Sequence, residues 1–241
     1  MEEIKLYVTG DTHGYPAHRL SRKMFHYRSE MNEDDAVAVL GDHGLNFSYP
    51  RTNKEELNEI KLLSQKYYNV LLLDGNHDNH DWLEQLPVVE KYGGKVGKLF
   101  ENVYTLKRGE IYTINNKKIF CFGGAISIDK EFRKERLDWW PQEIPSEEEF
   151  NYALDNLAKH DFKVDIVLTH TCPESFIRQM RLILPHEEII FDKTSHYLDN
   201  FLKVGLQFES WYFAHWHVKS KVKDSQGRHL QCLYDNFVRV L

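Results

Sequence analysis

The sequence predicts one mixed α/β domain, and three observations carry that reading. Apolar runs rich in Val, Ile, Leu, Phe and Tyr recur along the chain at strand length rather than helix length. Amphipathic stretches with helical spacing lie between the early runs. No repeat, low-complexity tract or linker divides the 241 residues, so 1–241 is read as a single domain.

In chain order, "IKLYVTGD" places Ile4, Leu6 and Val8 on one face of a strand that ends at Asp11. "DAVAVLGD" is a buried-type run over Ala36–Leu40 ending at Asp42. "NKEELNEIKLLSQKYY" sets Leu57, Ile60 and Leu63 at roughly helical spacing, with acids early and Lys66 late, as the helix dipole prefers. "NVLLLDGNHD" is a strand ending at Asn76 and His77, and "KIFCFGGA" one ending at Gly123–Gly124. "SEEEFNYALDNLAKH" opens with Ser146 followed by Glu149, a capping-box pattern, and lines up Phe150, Leu154 and Leu157. "VDIVLTH" ends at His170, and "WYFAHWH" carries His215 and His217. "KSKVKDSQGRHLQCLYDNF" reads as a hairpin around Gln226–Gly227. Strand–helix alternation in the N-terminal half implies parallel strands with crossover helices.

Composition excludes several classes. Cys121, Cys172 and Cys232 are odd in number and widely spaced, which fits a reduced intracellular protein better than a disulfide framework. "MEEIKLYVTGD" has neither the basic nor the apolar region of a signal peptide, and no uninterrupted apolar stretch is long enough to span a membrane. A net charge of -6 disfavours long nucleic acid as a partner. The expected location is cytoplasmic.

Ligands of open α/β sheets bind beyond the carboxyl ends of the strands. Those ends carry Asp11, His13, Asp42, Asn76, His77, His170, His215 and His217. Carboxylate, amide and imidazole donors suit divalent Mn, Fe or Zn, and no cysteine pair has thiolate-site spacing. So many donors converging from separate strands suggest a dinuclear site, in which two cations can clamp a phosphoryl group.

"GDTHG" at Gly10–Gly14, "GDHG" at Gly41–Gly44, "GNHD" at Gly75–Asp78, "LTH" at Leu168–His170 and "AHWH" at Ala214–His217 follow one another across nearly the whole chain. This order resembles the calcineurin-like metallophosphoesterase superfamily. The resemblance implies a four-layer α/β/β/α sandwich of two mixed β-sheets flanked by helices. It further implies a dinuclear phosphoester hydrolase with two divalent metal ions. One metal would be held by Asp11, His13 and His217, the other by Asn76, His170 and His215, with Asp42 bridging them. A metal-bound hydroxide would attack phosphorus, and His77 would stabilise the phosphoryl oxygens and protonate the leaving oxygen as general acid.

Two departures refine the expectation. The protein phosphatase branch of the superfamily extends its second motif with an acid and a phosphate-binding Arg, where "GDHGLNF" has Leu45 and Asn46. Without that clamp, small phosphodiesters or nucleotides are the favoured substrates. The alternatives are a phosphomonoesterase or protein phosphatase of the same superfamily, or a non-catalytic scaffold that keeps the fold. Ala214 also replaces the usual glycine of the last motif. Arg133 and Arg136, in "GGAISIDKEFRKERLDWWPQE", are candidates for meeting phosphate, while Trp139 and Trp140 are read as packing. Cys172 is read as a small loop residue, and His43 and Asp78 as neighbours of the site without a ligand role.

Overall fold

The computed structural model describes residues 3–180, 192–223 and 226–241. The first sheet is built from β1 (Leu6–Thr9), β2 (Ala36–Leu40), β3 (Asn69–Leu73), β4 (Val88–Lys91), β5 (Gly94–Lys98) and β6 (Val103–Leu106). The second begins with β7 (Ile111–Ile114), β8 (Lys117–Phe122), β9 (Ile166–Thr169) and β10 (Ser210–Phe213). It is completed by β11 (Ser220–Lys223) and β12 (His229–Cys232), while β13 (Phe237–Arg239) returns to the first sheet. The helices are α1 (Pro16–Arg19), α2 (Lys54–Ser64), α3 (His80–Leu83), α4 (Glu147–Lys159), α5 (Glu174–Met180) and α6 (Lys193–Lys203).

The seven-stranded sheet runs β13-β1-β2-β3-β6-β5-β4 and the six-stranded sheet β11-β12-β10-β9-β8-β7. β1, β2, β3 and β6 are parallel, as are β8, β9, β10 and β12. The expected hairpin is present as the antiparallel β11–β12 pair.

Strand alternation then decides which residue serves which layer. Leu6, Val8, Ala38, Leu40 and Leu71 turn inward and meet Ile119, Cys121, Ile166 and Leu168 of the other sheet in one apolar cluster. Their neighbours Tyr7, Val37, Val39, Val70 and Leu72 turn outward and pack with Ala17, Leu20 and Leu63 from α1, α2 and their flanks. On the far side Phe120, Phe122, Val167, Trp211 and Phe213 pack with Ala153 and Leu157 of α4 and Phe201 of α6. Helices, two sheets and helices thus form four layers, and strands covered on both faces read as unbroken apolar runs.

The helices follow their local signals. Ser146 and Glu149 form the expected capping box of α4, and Asn53 and Glu56 form a second one on α2. α2 departs from its expected face: Leu57 is exposed, while Leu63 and Glu59 are buried. The carboxylate of Glu59 tolerates that position because it accepts the Ala17 N–H at 3.0 Å. Among the described residues no helix is long and apolar enough to cross a membrane.

Candidate metal centre

The parallel strands deliver their carboxyl ends to one edge of the sandwich. Asp11 and His13 follow β1, Asp42 follows β2, Asn76 and His77 follow β3, His170 follows β9, and His215 and His217 follow β10. Four of these, His13, Asp42, His215 and His217, have left-handed φ angles between 45° and 69°. Each such non-glycine conformation costs roughly 1–3 kcal/mol and persists only where the surroundings impose it. Here the loops are zipped together: the N–H groups of Thr12 and His13 donate to the Asp42 carbonyl at 3.2 and 2.7 Å, and Gly14 N–H donates to His43 O at 3.0 Å.

Two glycines make the approach possible. A Cβ on Gly41 would lie 2.0 Å from His170 Nδ1, and one on Gly75 would lie 2.2 Å from Asp42 Oδ1. The glycines of "GDHG" and "GNHD" are therefore spaces into which ligand side chains fit.

The side chains form two groups, Asp11–His13–His217 and Asp42–His170–His215, each with donor atoms within 4.8 Å of one another. In the first, His13 Nε2 and His217 Nε2 are 2.9 Å apart, and Asp11 Oδ2 lies 2.9 Å from His217 Nε2. Asp11 is fully buried, and its Oδ1 accepts the His215 N–H at 3.1 Å. In the second, His170 Nε2 is 3.0 Å from Asn76 Oδ1 and 3.4 Å from Asp42 Oδ1. His170 Nδ1 donates to the Leu40 carbonyl at 2.7 Å, which turns the Nε2 lone pair inward. Side chains converging on two points and a hard-to-borderline donor set fit divalent cations.

The field has the same sense. Burial alone would raise the Asp42 carboxyl, but the facing His170 and the His77 ring and N–H hold it below the usual carboxylate range. Burial would lower His170, yet Asp42 and Asp11 push it up to about 10. His215, half-buried, is pushed down to about 3 by desolvation and by the neighbouring His170. The two carboxylates hold a positive charge on the cluster even when only protons are present.

Supporting residues explain how these groups are held. Asp42 Oδ1 accepts the His77 N–H at 2.7 Å. Asp78 accepts the N–H groups of Gly44 and Gly75, both at 2.7 Å, and so stitches the second and third motif loops together. His43 is fully buried against Asp78 and presents nothing to the cleft. Sequence reasoning missed Arg19, which donates to the carbonyls of Asp11 and Tyr234 at 3.0 and 2.6 Å. It also missed Arg108, which grips Asp74 with Nε and Nη2 at 2.9 and 2.5 Å and reaches Glu149 at 3.1 Å. Neither arginine sits in a recognisable motif; only the fold brings them to the site.

His77 lies on the boundary of two cavities. One, of about 570 Å³, is lined by Asp42, Asn76, His217, Ile128, Asp129 and Trp216. The other, of about 300 Å³, is lined by His13, Tyr15, Phe47, Glu55 and Glu59. Arg133 is committed to Asp129 of the larger cavity through two hydrogen bonds of 2.8 and 2.7 Å. Arg136 is placed elsewhere, paired with Asp81 at 2.5 Å beside Tyr49 and Gln85. Trp140 packs edge-on against Phe47 and donates to Asp81. Leu45 is core and Asn46 is held by Thr52, so no cationic clamp occupies the second motif loop. Cys172 is buried, and burial pushes its thiol well above the usual range, which leaves it unreactive.

Strand-end carboxylates and imidazoles gathered in two groups that could each hold a cation, beside a histidine, are what a metal-dependent phosphoryl-transfer centre requires. The sequence profile of the calcineurin-like phosphoesterases matches residues 4–219, and the chain belongs to that family of metal-dependent phosphoester hydrolases. No curated protein sequence matches significantly. Among solved structures, the phosphopantetheinyl hydrolase of Mycobacterium tuberculosis is similar at 14% identity with a TM-score of 0.45, over 99% of this chain and 96% of that one. A 5'-nucleotidase from Candida albicans is similar at 16% identity with a TM-score of 0.41, over 97% of this chain but only 46% of that one.

Proposed function

We propose that the protein hydrolyses small phosphodiesters or nucleotides with two divalent cations, Mn, Fe or Zn. Asp11, His13 and His217 would hold one cation and Asn76, His170 and His215 the other, with Asp42 between them. The observation that carries this reading is the pair of carboxylate–imidazole groups opening on one cleft. When bound, such cations supply Lewis-acid polarisation of phosphoryl oxygens and ease the ionisation of water.

The chain's own part lies in orientation and proton transfer. The His77 N–H fixes Asp42, while the His77 ring stands at the junction of the two cavities. A phosphoryl group at that junction would have one ester oxygen beside the ring, which then donates a proton to the leaving alcohol. Burial lowers His77 from its usual value, with Arg133 and the neighbouring histidines adding to it against Asp42. An arriving phosphoryl anion would raise it again, so that the ring takes up a proton from solvent and can pass it to the leaving oxygen.

Preference for diesters rests on the shape and charge of the cleft. Space continues on both sides of His77, one for each alcohol of a diester. Arg133, bound to Asp129 of the larger cavity, is already neutralised, so it offers a dianionic monoester no free clamp. The test compares an aryl phosphate monoester with the matching diester in Mn²⁺, using His77→Ala as control. Diester kcat/KM at least about tenfold above the monoester, dependent on His77, is expected. A monoester preference would assign the chain to the phosphomonoesterases instead.

A further inference from the structure

The side chain of Asn76 has an amide with two ends of nearly equal size and opposite chemistry. Its oxygen can ligate a cation, whereas its NH₂ repels one. Oδ1 faces His170 Nε2 at 3.0 Å, and Nδ2 donates to Ser127 Oγ at 3.1 Å. Behind Ser127 stands Glu143, and both residues are buried. Ser127 N–H donates to Glu143 Oε1 at 2.9 Å, and Ser127 Oγ–H donates to Oε2 at 2.5 Å.

These contacts have a direction. A carboxylate only accepts hydrogen bonds, so the single hydroxyl proton of Ser127 is spoken for. Ser127 Oγ can then only accept, and the sole donor Asn76 can offer is Nδ2. The amide oxygen is thereby forced to the other side, toward His170. Resting on the metal reading above, we propose that Glu143 and Ser127 are positioning residues that lock the Asn76 amide with its oxygen toward the cation site.

The segment 123–145 acquires a role through this relay. It leaves β8 at Gly124, whose N–H donates to Asp74 O at 3.0 Å, and returns through a 3₁₀ turn over Pro141–Glu143. The carbonyl of Glu143 accepts from Arg108 Nη2 at 3.4 Å, and Trp140 Nε1 donates to Asp81 Oδ2 at 3.2 Å. Pinned at these points, the strap carries Ser127 and Glu143 beneath the "GNHD" loop.

Glu143→Gln separates this role from simple packing, because it keeps the shape and breaks the direction. Its NH₂ must either face the Ser127 N–H or donate to Ser127 Oγ, which frees the hydroxyl proton to point at Asn76. The second arrangement favours the reversed amide. Ser127→Ala removes the discrimination altogether. Asn76→Asp presents oxygen whichever way it lies, so it has no NH₂ to turn toward the cation and Glu143→Gln should not weaken the site through a reversed side chain.

The experiment is calorimetric titration of chelator-stripped full-length protein with Mn²⁺, for wild type, Ser127→Ala, Glu143→Gln, Asn76→Asp and the double variant Asn76→Asp/Glu143→Gln. One of two equivalents should weaken about 10–100-fold in Ser127→Ala and Glu143→Gln, the span seen when groups behind metal ligands are removed. Glu143→Gln should add nothing in the Asn76→Asp background. Two equivalents of wild-type affinity in Glu143→Gln would overturn the proposal, as would equal weakening of both, which marks a structural role. Wild-type protein that takes up no Mn²⁺ would instead overturn the metal reading on which it rests.

Discussion

The two ligand groups are built differently. In Asp11–His13–His217 both imidazoles are exposed, whereas in Asp42–His170–His215 the carboxylate and His170 are buried. The inner group is wired into the fold: His170 to the Leu40 carbonyl, Asp42 to the His77 N–H, Asn76 to Ser127. In the outer group Asp11 Oδ2 meets His217 Nε2, a member of the same group, and the two rings contact each other and Tyr234. Preorganised ligands lose less freedom on binding, and water cannot compete as readily at a buried site. The inner site should hold its cation more tightly, and the outer should exchange first.

The largest effect should come from Asp42, which the proposed function sets between the two cations. Asp42→Asn, or Gly75→Ala with its Cβ 2.2 Å from Asp42 Oδ1, should abolish both metal occupancy and turnover, read by metal analysis and ester hydrolysis on the same sample. Removal of His77 spares the ligands, so His77→Ala should retain metal while kcat falls by ~10²–10⁴. Full activity of that variant on a poor leaving group would remove His77 from the acid role. Graded chelation sharpens the contrast between the groups: one equivalent should leave well before the other, and His13→Ala should lose only the early one. Simultaneous loss of both in wild type would show the groups to be equivalent.

Behind the inner group lies a stability effect that does not involve ligands. His80 is buried with Nε2 3.1 Å from the Gly75 carbonyl, and burial, reinforced by Arg108, pushes it down to about 4. The unfolded chain takes up this proton near pH 6.5, whereas the folded chain resists it until about pH 4. Stability is therefore fully present above pH 6.5 and declines as pH falls toward 4, by up to about 3 kcal/mol from this group. Urea unfolding of metal-free wild type and His80→Gln should show a shallower acid decline in the variant; parallel curves would assign the decline to other groups. The smallest effect belongs to the half-exposed Arg136–Asp81 pair. Arg136→Ala should cost no more than about 1 kcal/mol in urea unfolding.

How much of this was legible follows from where information sits in the chain. The strand ends that bear the candidate ligands were readable because each polar cluster directly follows its apolar run, as "VLLLDGNHD" shows. Helix α4 was readable because Ser146 and Glu149 are local to it. The division into two sheets was legible only through the family resemblance: Leu6 and Ile119 look alike in sequence, and pairing places them in facing layers. The edge strand β4, "VVEK", and its neighbour β5, "GKVGK", were missed because charged residues and glycines dilute their apolar pattern. The supports behind the ligands were invisible for a related reason. Ser127 and Glu143 are separated by 16 positions and meet Asn76 only across the fold.

Metal content and turnover measured together, on protein purified without chelator, test the central claim most directly. Mass-spectrometric metal analysis should find about two transition-metal ions per chain, with diester hydrolysis that His77→Ala suppresses. Protein that carries neither metal nor activity when supplied with Mn²⁺ would contradict the account and leave a scaffold built on a phosphoesterase fold.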